Sequence, residues 1–226
     1  MKDYLRQVGA LVWKDLTLEL RTWDRMSAMG AFAVLVAVLF HYAVDRTVIH
    51  PRELAAGLIW LTIVFGGLLG LGRTFALEEE DGAFDGILTS PMPKDAIFLA
   101  KVSSNFLLLL LLVLLVLFVF VLFFQVAVRG NPFALFGVLS LGVLGFTALG
   151  TLYSGVTVRT RMGETLLPVL VFPLLIPMVV FGVRGTSLLF AGVSVSGVEG
   201  SLRVLGGFSL VALLSGAFLF RFVVED

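Results

Sequence analysis

Six long apolar runs dominate the hydropathy pattern and indicate the architecture of the chain. The clearest run is FLLLLLLVLLVLFVFVLFF, Phe106–Phe124, which has nineteen residues without a polar side chain. A helix needs ~20 mostly apolar residues to cross a bilayer, and backbone groups in hydrocarbon must pair within their own segment. The pattern predicts an all-α polytopic membrane protein with six transmembrane helices. The predicted spans are Met26–Val44, Leu54–Leu77, Phe106–Phe124, Ala134–Val158, Thr165–Val183 and Val204–Val224.

The first 25 residues form an amphipathic pattern ahead of the first span. Apolar residues recur at helical spacing, with Glu19 interrupting the stripe and most basic residues on the opposite side. The stripe consists of Leu5, Val8, Val12, Leu16, Leu20 and Trp23. Such a helix suits the headgroup layer, so residues 1–25 are predicted to be an interfacial elbow helix. Two roles stay open: an anchor that sets the entry angle of the first span, or an anchor that also touches a cytoplasmic partner.

The distribution of lysine and arginine predicts the orientation of the spans. Six spans place both termini on one side, and cytoplasmic loops carry the excess of basic residues. Eleven of the sixteen Lys and Arg residues fall in the two termini and in the loops on the same side. The other five are Arg46, Arg52, Arg129, Arg184 and Arg203. Both termini are therefore expected in the cytoplasm.

One charged segment, residues 78–101, separates the second and third spans and is then cytoplasmic. It carries six acids and two lysines, and three apolar residues recur within it at i, i+3 and i+4. A short helix, acidic at its start and ended by a proline pair, is predicted. The charges alone fit a solvated loop. An exposed apolar face, however, is typical of a surface that binds another protein, which favours a docking segment. The candidate docking residues are Glu78, Glu79, Glu80, Asp81, Phe84, Ile87, Leu88, Pro91 and Pro93.

Composition and missing motifs exclude several function classes. The chain is 59% hydrophobic with zero formal net charge, which gives no case for nucleic-acid binding, and it has no cysteine. It contains no G-x-x-x-x-G-K-[ST], no H-E-x-x-H and no G-x-S-x-G. Its spans lack the carboxylates and histidines typical of ion-coupled carriers. We therefore expect one membrane domain, residues 1–226, with no catalytic, cofactor-binding or metal-binding residue of its own and with energy supplied by another subunit.

The positions of proline, glycine and histidine give further candidate functional residues, each with two interpretations. Pro168, Pro173 and Pro177 in the fifth span are expected to form a fixed kink or a hinge. Gly66 and Gly70 form a small-xxx-small pair that favours close helix packing, within the bundle or between subunits. Residues 184–203 fit an outer loop or a re-entrant segment. The two histidines, His41 and His50, are expected to be polar termini of spans more readily than ligands.

Three blocks of the sequence together resemble the CcmB family of membrane permeases, which belong to the ABC transporters of cytochrome c maturation. These blocks are ELAAGLIWLTIVFGGLLGLGRTF, EEEDGAFDGILTSPMPKDAIFLAKVSSNF and GETLLPVLVFPLLIPMVVFG. The six-span layout, the N-terminal amphipathic helix and the charged loop between spans 2 and 3 also fit the wider ABC-2 exporter architecture. The resemblance covers nearly the whole chain.

The resemblance implies partners and a mechanism. A cytoplasmic ATPase subunit, CcmA, would bind ATP, and two copies of each subunit would form the core in the bacterial inner membrane. The assembly would work with CcmC and CcmD, and ATP hydrolysis would drive release of the haem-loaded periplasmic chaperone CcmE, or haem delivery. Haem would be handled by the complex. The coupling segment of the family falls on Glu78–Ile97, which would place Phe84, Ile87, Leu88, Pro91 and Pro93 in a groove of the ATPase.

Two other function classes share the same sequence features. An ABC-2 permease that exports a lipid, a drug or a polysaccharide would show the same spans and the same charged segment. A membrane scaffold without transport activity would use that segment only to recruit partners. The identity of the copurifying subunits and the loss of holo-cytochrome c on deletion separate these alternatives.

Overall fold

The computed structural model describes residues 2–44, 51–75, 78–79, 82–90, 92–157 and 163–225. Within these ranges the chain forms eight α-helices of seven residues or more and no strand, and Glu78 and Glu79 are helical as well. They are α1 Lys2–Thr22, α2 Asp24–Ala43, α3 Pro51–Leu71, α4 Ala83–Thr89, α5 Lys94–Phe124, α6 Pro132–Thr157, α7 Gly163–Phe190 and α8 Val195–Glu225.

Six of these helices, α2, α3, α5, α6, α7 and α8, are long and apolar enough to cross a membrane. The predicted all-α polytopic architecture with six spans is thereby confirmed. Apolar side chains such as Leu35, Phe118, Ile176 and Val211 lie on the outer surface of the bundle. Buried polar residues such as Thr147 and Asn105 lie inside it. This arrangement suits a solvent of lipid tails.

Helix α5 occupies a central position in the bundle. Its 31 residues extend over about 46 Å at 1.5 Å per residue, which exceeds a hydrocarbon core of ~30 Å. The polar residues are concentrated in its first turns, from Lys94 to Asn105, so these turns form the part that extends beyond the predicted span. Asp95 in the first turn complements the helix dipole. The helix contacts α1, α2, α3, α6 and α8.

Residues 184–203, for which the sequence left an outer loop or a re-entrant segment open, are mostly helical. Helix α7 continues to Phe190 and α8 begins at Val195, so only four residues connect them. Gly192 has a φ of 90°, which favours glycine, and the amide of Val193 donates to the carbonyl of Leu188 at 3.0 Å. The abundance of glycine and serine suggested a loop, but a single left-handed turn is sufficient to connect the two helices.

The indole of Trp60 fixes the contact between α3, α6 and α7. Trp60 is fully buried, and its Nε1 donates a hydrogen bond to Thr186 Oγ1 at 3.0 Å. A Cβ atom added at Gly142 or Gly182 would come within 2.3 Å or 2.5 Å of the indole ring. Only glycine permits so close an approach of α6 and α7 to the ring.

Alanine at either glycine should therefore destabilise the bundle. We expect Gly142→Ala and Gly182→Ala each to lower the free energy of unfolding by about 1–3 kcal/mol, because the added methyl group overpacks the site. Thermal unfolding in mild detergent, followed by the fluorescence of the three tryptophans, measures the change.

The matched control is Gly207→Ala in α8, where an added Cβ meets no atom within 4 Å. This variant should unfold at or above the wild-type temperature, because alanine favours helix more than glycine does. Equal melting temperatures for all three variants would contradict the close packing around Trp60.

Candidate functional site

Three segments that are distant in sequence meet at one end of the bundle, here called the charged end. They are α1, the short helical segment at Glu78 that follows α3, and the first turns of α5. Tyr4 Oη donates to Asp95 Oδ2 at 2.8 Å, and Ser104 Oγ donates to Asp15 Oδ2 at 3.0 Å. Because residue 4 meets residue 95 and residue 15 meets residue 104, α1 runs beside the start of α5 in the same direction.

Lys101 in α5 is the centre of this contact. Its side chain is almost completely buried, and its Nζ lies 3.2 Å from both carboxylate oxygens of Asp15. The same Nζ donates to Glu78 Oε1 and, at 3.4 Å, to the carbonyl oxygen of Thr74. It also lies 5.3 Å from the centre of the Phe75 ring. One ammonium group thus bridges two carboxylates from two separate segments.

Lys14 completes what we call the ion cluster, which consists of Lys14, Asp15, Glu78 and Lys101. Lys14 Nζ lies 2.7 Å from Glu78 Oε1 and 3.1 Å from Asp15 Oδ1. Two lysines and two acids make the cluster neutral. A buried charge is tolerated when it is paired and hydrogen-bonded, and each member of the cluster has such partners.

The electrostatics of the cluster favour its charged forms. Burial by itself would raise the pKa of Glu78, but the charges and hydrogen bonds of Lys101 and Lys14 outweigh it and hold that pKa below its ordinary value of 4.5. Burial likewise opposes the charge of Lys14, yet Glu78 and Asp15 raise the pKa of Lys14 above its ordinary value of 10.5. Burial and the hydrogen bond to Asp95 raise the pKa of Tyr4 to about 12.

A second polar group, next to the ion cluster, fixes the junction of α1 and α2. Glu19 Oε2 accepts a hydrogen bond from Arg25 Nε at 2.6 Å, and Glu19 Oε1 accepts one from the amide of Met26 at 3.0 Å. The carboxylate thereby caps the first turn of α2. Trp23, between the two helices, has a φ of 57° and makes the sharp turn.

Asn105 connects this junction to the interior of the bundle. Its Oδ1 accepts from Arg25 Nη1 at 3.1 Å. Its Nδ2 donates to Thr74 Oγ1 at 3.0 Å and to Thr151 Oγ1 at 3.1 Å. Lys101 and Asn105 are four residues apart and therefore lie on one face of α5. That single face contacts α1, α2, α6 and the residues that follow α3.

The buried face of α1 is polar, which differs from the predicted amphipathic arrangement. Asp15 and Glu19 are buried, whereas Leu5, Leu20 and Trp23 of the predicted stripe are exposed. Val8, Val12 and Leu16 of the stripe are partly buried. The stripe is interrupted at Glu19 because that side chain pairs with Arg25 and the amide of Met26 in α2, while the exposed apolar positions are free to face lipid.

Helix α4 begins later than the four acids suggested. Gly82, with a φ of 67°, precedes the helix, and the amide of Gly82 donates to the carbonyl of Glu79 at 3.2 Å. Glu78 is buried in the ion cluster, and Glu79 is exposed. Glu80, Asp81 and Pro91 lie outside the described residues. The acids therefore precede α4 rather than forming its first turn, because glycine breaks the helix at residue 82.

The orientation of α4 follows from the residues that the structure describes. Ile87 is half-buried and packs against the core, whereas Ala83, Gly86 and Thr89 are exposed. Phe84 and Leu88 belong to α4, but their side chains lie outside the described part. Four residues then connect α4 to α5, and Pro93 in this connection is exposed.

An open groove of about 430 Å³ lies between α1 and the start of α4. It is lined by Trp13, Lys14, Thr17, Leu18, Arg21, Glu78 and Ala83. Lys14 and Glu78 of the ion cluster form part of its wall.

The remaining candidates lie away from the charged end or along the spans. Pro168, Pro173 and Pro177 all lie within α7, which is helical throughout, and Pro173 and Pro177 are exposed. Gly70 approaches Met29 of α2, and Gly66 approaches Leu112 of α5. These two glycines therefore contact neighbouring helices of the same chain.

His41 lies at the end of α2 opposite the charged end. Its Nδ1 is 2.9 Å from the carbonyl oxygen of Phe123, and its ring contacts Phe123 and Phe124 edge to face. His50 lies outside the described residues. Across the described ranges no three His, Cys, Asp or Glu side chains are grouped so that they could hold a metal ion.

Comparison with known proteins gives a consistent result. Residues 6–225 match the family described as CcmB protein. Heme exporter protein B of Shigella flexneri is 32% identical over 214 residues, which cover 91% of each chain. The protein of the same name from Escherichia coli (strain K12) is 31% identical over 214 residues, again 91% of each chain. That of Rhodobacter capsulatus is 29% identical over 198 residues, covering 88% of this chain and 89% of that protein.

The pH dependence of stability should reveal the lowered pKa of Glu78. A carboxyl group with a lowered pKa contributes stability that is present above its ordinary value of 4.5 and is lost as the pH falls through the lower folded value. We expect the wild type to unfold at a higher temperature than Glu78→Gln at pH 7, and the difference to shrink below pH 4.5. Melting temperatures of both proteins between pH 7 and pH 3 measure this. A difference that is constant over the whole range would contradict the assigned pairing.

Removal of the Glu19 carboxylate should weaken the junction of α1 and α2. Glu19→Ala leaves Arg25 and the amide of Met26 without this partner, so we expect a loss of about 3 kcal/mol in unfolding free energy. The control is Glu199→Ala, which removes the exposed pair with Arg203 and should cost less than about 1 kcal/mol. Equal losses in the two variants, measured by thermal unfolding in detergent, would contradict the buried role of Glu19.

Proposed function

The chain belongs to the CcmB family, since the family match extends over residues 6–225, and from this premise we propose that it is the membrane permease subunit of an ABC transporter for cytochrome c maturation. The relatives are named heme exporter protein B, which supports haem as the cargo of the complex. The sequence has no P-loop, so a separate ATPase subunit, CcmA, binds and hydrolyses ATP. The chain itself is a transport component and not an enzyme.

The charged end is the end that faces the cytoplasm in this proposal. Eleven of the sixteen basic residues were assigned to that side on sequence grounds, and the ion cluster and α4 lie at the same end. The protein then spans the bacterial inner membrane with both termini in the cytoplasm, and α1 lies against the headgroup layer. The exposed apolar side chains Leu5, Leu20 and Trp23 suit that position.

Helix α4 is the docking element for the ATPase. The observation that carries this assignment is its connection: α4 is joined by only four residues to α5, which contacts five other helices. A force applied to the exposed side of α4, at Ala83, Gly86 and Thr89, therefore acts directly on the start of the most connected span. Ile87 on the inner side holds α4 against the bundle.

The complex acts on haem through further subunits. Two copies of the chain and two of CcmA form the core, and CcmC, CcmD and CcmE are the partners that handle haem. Movement of α5 changes the opposite end of the bundle, where His41 of α2 meets Phe123 of α5. That change promotes release of the haem-loaded chaperone CcmE or delivery of its haem.

A pair of glycine substitutions tests the docking surface. Gly86 in α4 and Gly200 in α8 are both exposed helical glycines where an added Cβ meets no atom within 4 Å, and they lie at opposite ends of the bundle. We expect Gly86→Glu to reduce capture of the ATPase about tenfold in affinity purification from mild detergent, and Gly200→Glu to leave capture unchanged. Identification of the copurified subunits by mass spectrometry gives the readout.

Two outcomes would contradict the proposal at different levels. If Gly86→Glu captures the ATPase as well as Gly200→Glu does, α4 is not the docking surface. If the wild-type chain captures no P-loop ATPase and its deletion leaves holo-cytochrome c unchanged, the assigned system is wrong. In that case the copurified proteins distinguish another exporter from a scaffold.

A further inference from the structure

The ion cluster lies where a docking force would have to enter the bundle. Lys101 belongs to α5, Asp15 to α1, and Glu78 to the short helical segment between α3 and α4. The chain itself links Glu78 to α4 and α5, but α1 is linked to them only through α2 and α3. Lys14 of α1 also pairs with Glu78, but its side chain is 44% exposed, whereas that of Lys101 is 3% exposed.

The form of the cluster argues against a role in stability alone. Replacement of a buried ion pair by apolar side chains of similar size is often neutral or stabilising. A run of apolar residues along this face of α5 would therefore hold the helices at least as firmly. Charges instead fix the relative orientation and register of the helices, since a single ammonium group must pair with two carboxylates at once. The geometry is thus set by Lys101 and not by general packing.

The same face of α5 continues the contact into the bundle. One turn beyond Lys101, Asn105 hydrogen-bonds Arg25 of α2, Thr74 after α3 and Thr151 of α6. Beside Lys101, the ring of Phe220 in α8 contacts the rings of Phe75 and Phe98 at centroid distances of 5.9 Å and 5.5 Å. A displacement of Lys101 is therefore shared by elements on several sides of the bundle.

We infer that Lys101 is a positioning residue for energy coupling, which makes α1, the helical segment at Glu78 and the first turns of α5 move as one unit when the ATPase acts on α4. This inference rests on the proposed function. The inference is separate from the docking assignment. The ATPase binds α4, and Lys101 determines which other segments of the chain move when α4 moves.

A charge-free variant distinguishes positioning from stability. The triple variant Asp15→Asn, Glu78→Gln, Lys101→Met leaves no buried charge in the cluster, because the one charge that remains belongs to Lys14, whose side chain is 44% exposed to solvent. We expect it to fold, to capture the ATPase as the wild type does, and to lower the yield of holo-cytochrome c in cells about tenfold. Lys101→Arg, which keeps the charge, should restore part of the yield relative to Lys101→Met. A triple variant that captures the ATPase and gives the full yield would overturn the inference.

A crosslink provides a measurement that does not depend on the folding of the triple variant. The chain has no cysteine, so Tyr4→Cys with Asp95→Cys introduces a unique pair at the contact of α1 with α5. A short bifunctional maleimide is added to the purified complex with its ATPase, and the rate of MgATP hydrolysis is measured before and after. The wild-type complex with the same reagent is the control.

The two outcomes of this measurement are opposite. If α1 and α5 move as one unit, the crosslinked complex hydrolyses ATP at the rate of the same variant without reagent. If the rate falls severalfold on crosslinking while the wild-type control is unaffected, the two helices move apart during the cycle and the inference is wrong. A wild-type complex without ATPase activity would instead contradict the proposed function.

Discussion

A single ammonium group, that of Lys101, holds together segments of the chain that are otherwise separated. It lies almost out of contact with solvent, between the carboxylates of Asp15 and Glu78. An unpaired charge at this site would be costly, and so would an unpaired carboxylate. The three segments must therefore meet for Lys101 to be paired with both carboxylates. The position of α1, the path of the chain after α3 and the start of α5 all follow from this requirement.

The rest of the fold is organised around the same helix. Helix α5 carries Lys101 and Asn105 on one face and continues as a leucine-rich span with contacts to five helices. Close glycine contacts around Trp60 fix α3, α6 and α7. The docking helix α4 is joined to the start of α5 by a connection of four residues. In the proposed function, the rigid centre of the bundle and the point at which force enters are thus neighbours along the chain.

The sequence was sufficient for the architecture and insufficient for the site. Apolar runs such as Phe106–Phe124 predict spans reliably, because hydrocarbon leaves the backbone no alternative to helix. Helix ends were less predictable: the glycines and serines of residues 184–203 suggested a loop, yet one turn at Gly192 sufficed. The ion cluster was missed because it joins three distant parts of the chain: Asp15 is 63 positions from Glu78, and Glu78 is 23 positions from Lys101. Its only signal in the sequence was two pairs of polar residues at i, i+4 spacing, Asp15 with Glu19 and Lys101 with Asn105. One sequence cannot show that the helix faces carrying these two pairs lie against each other.

The account depends on the charged end facing the cytoplasm, because only there can an ATPase reach α4. Cysteine labelling tests this directly, since the chain has no cysteine of its own. Gly86→Cys and Gly200→Cys place single thiols at exposed positions on opposite ends of the bundle. In spheroplasts treated with a membrane-impermeant maleimide, the account predicts labelling of Gly200→Cys alone, with Gly86→Cys labelled only after the membrane is permeabilised. Labelling of Gly86→Cys in intact spheroplasts would contradict it.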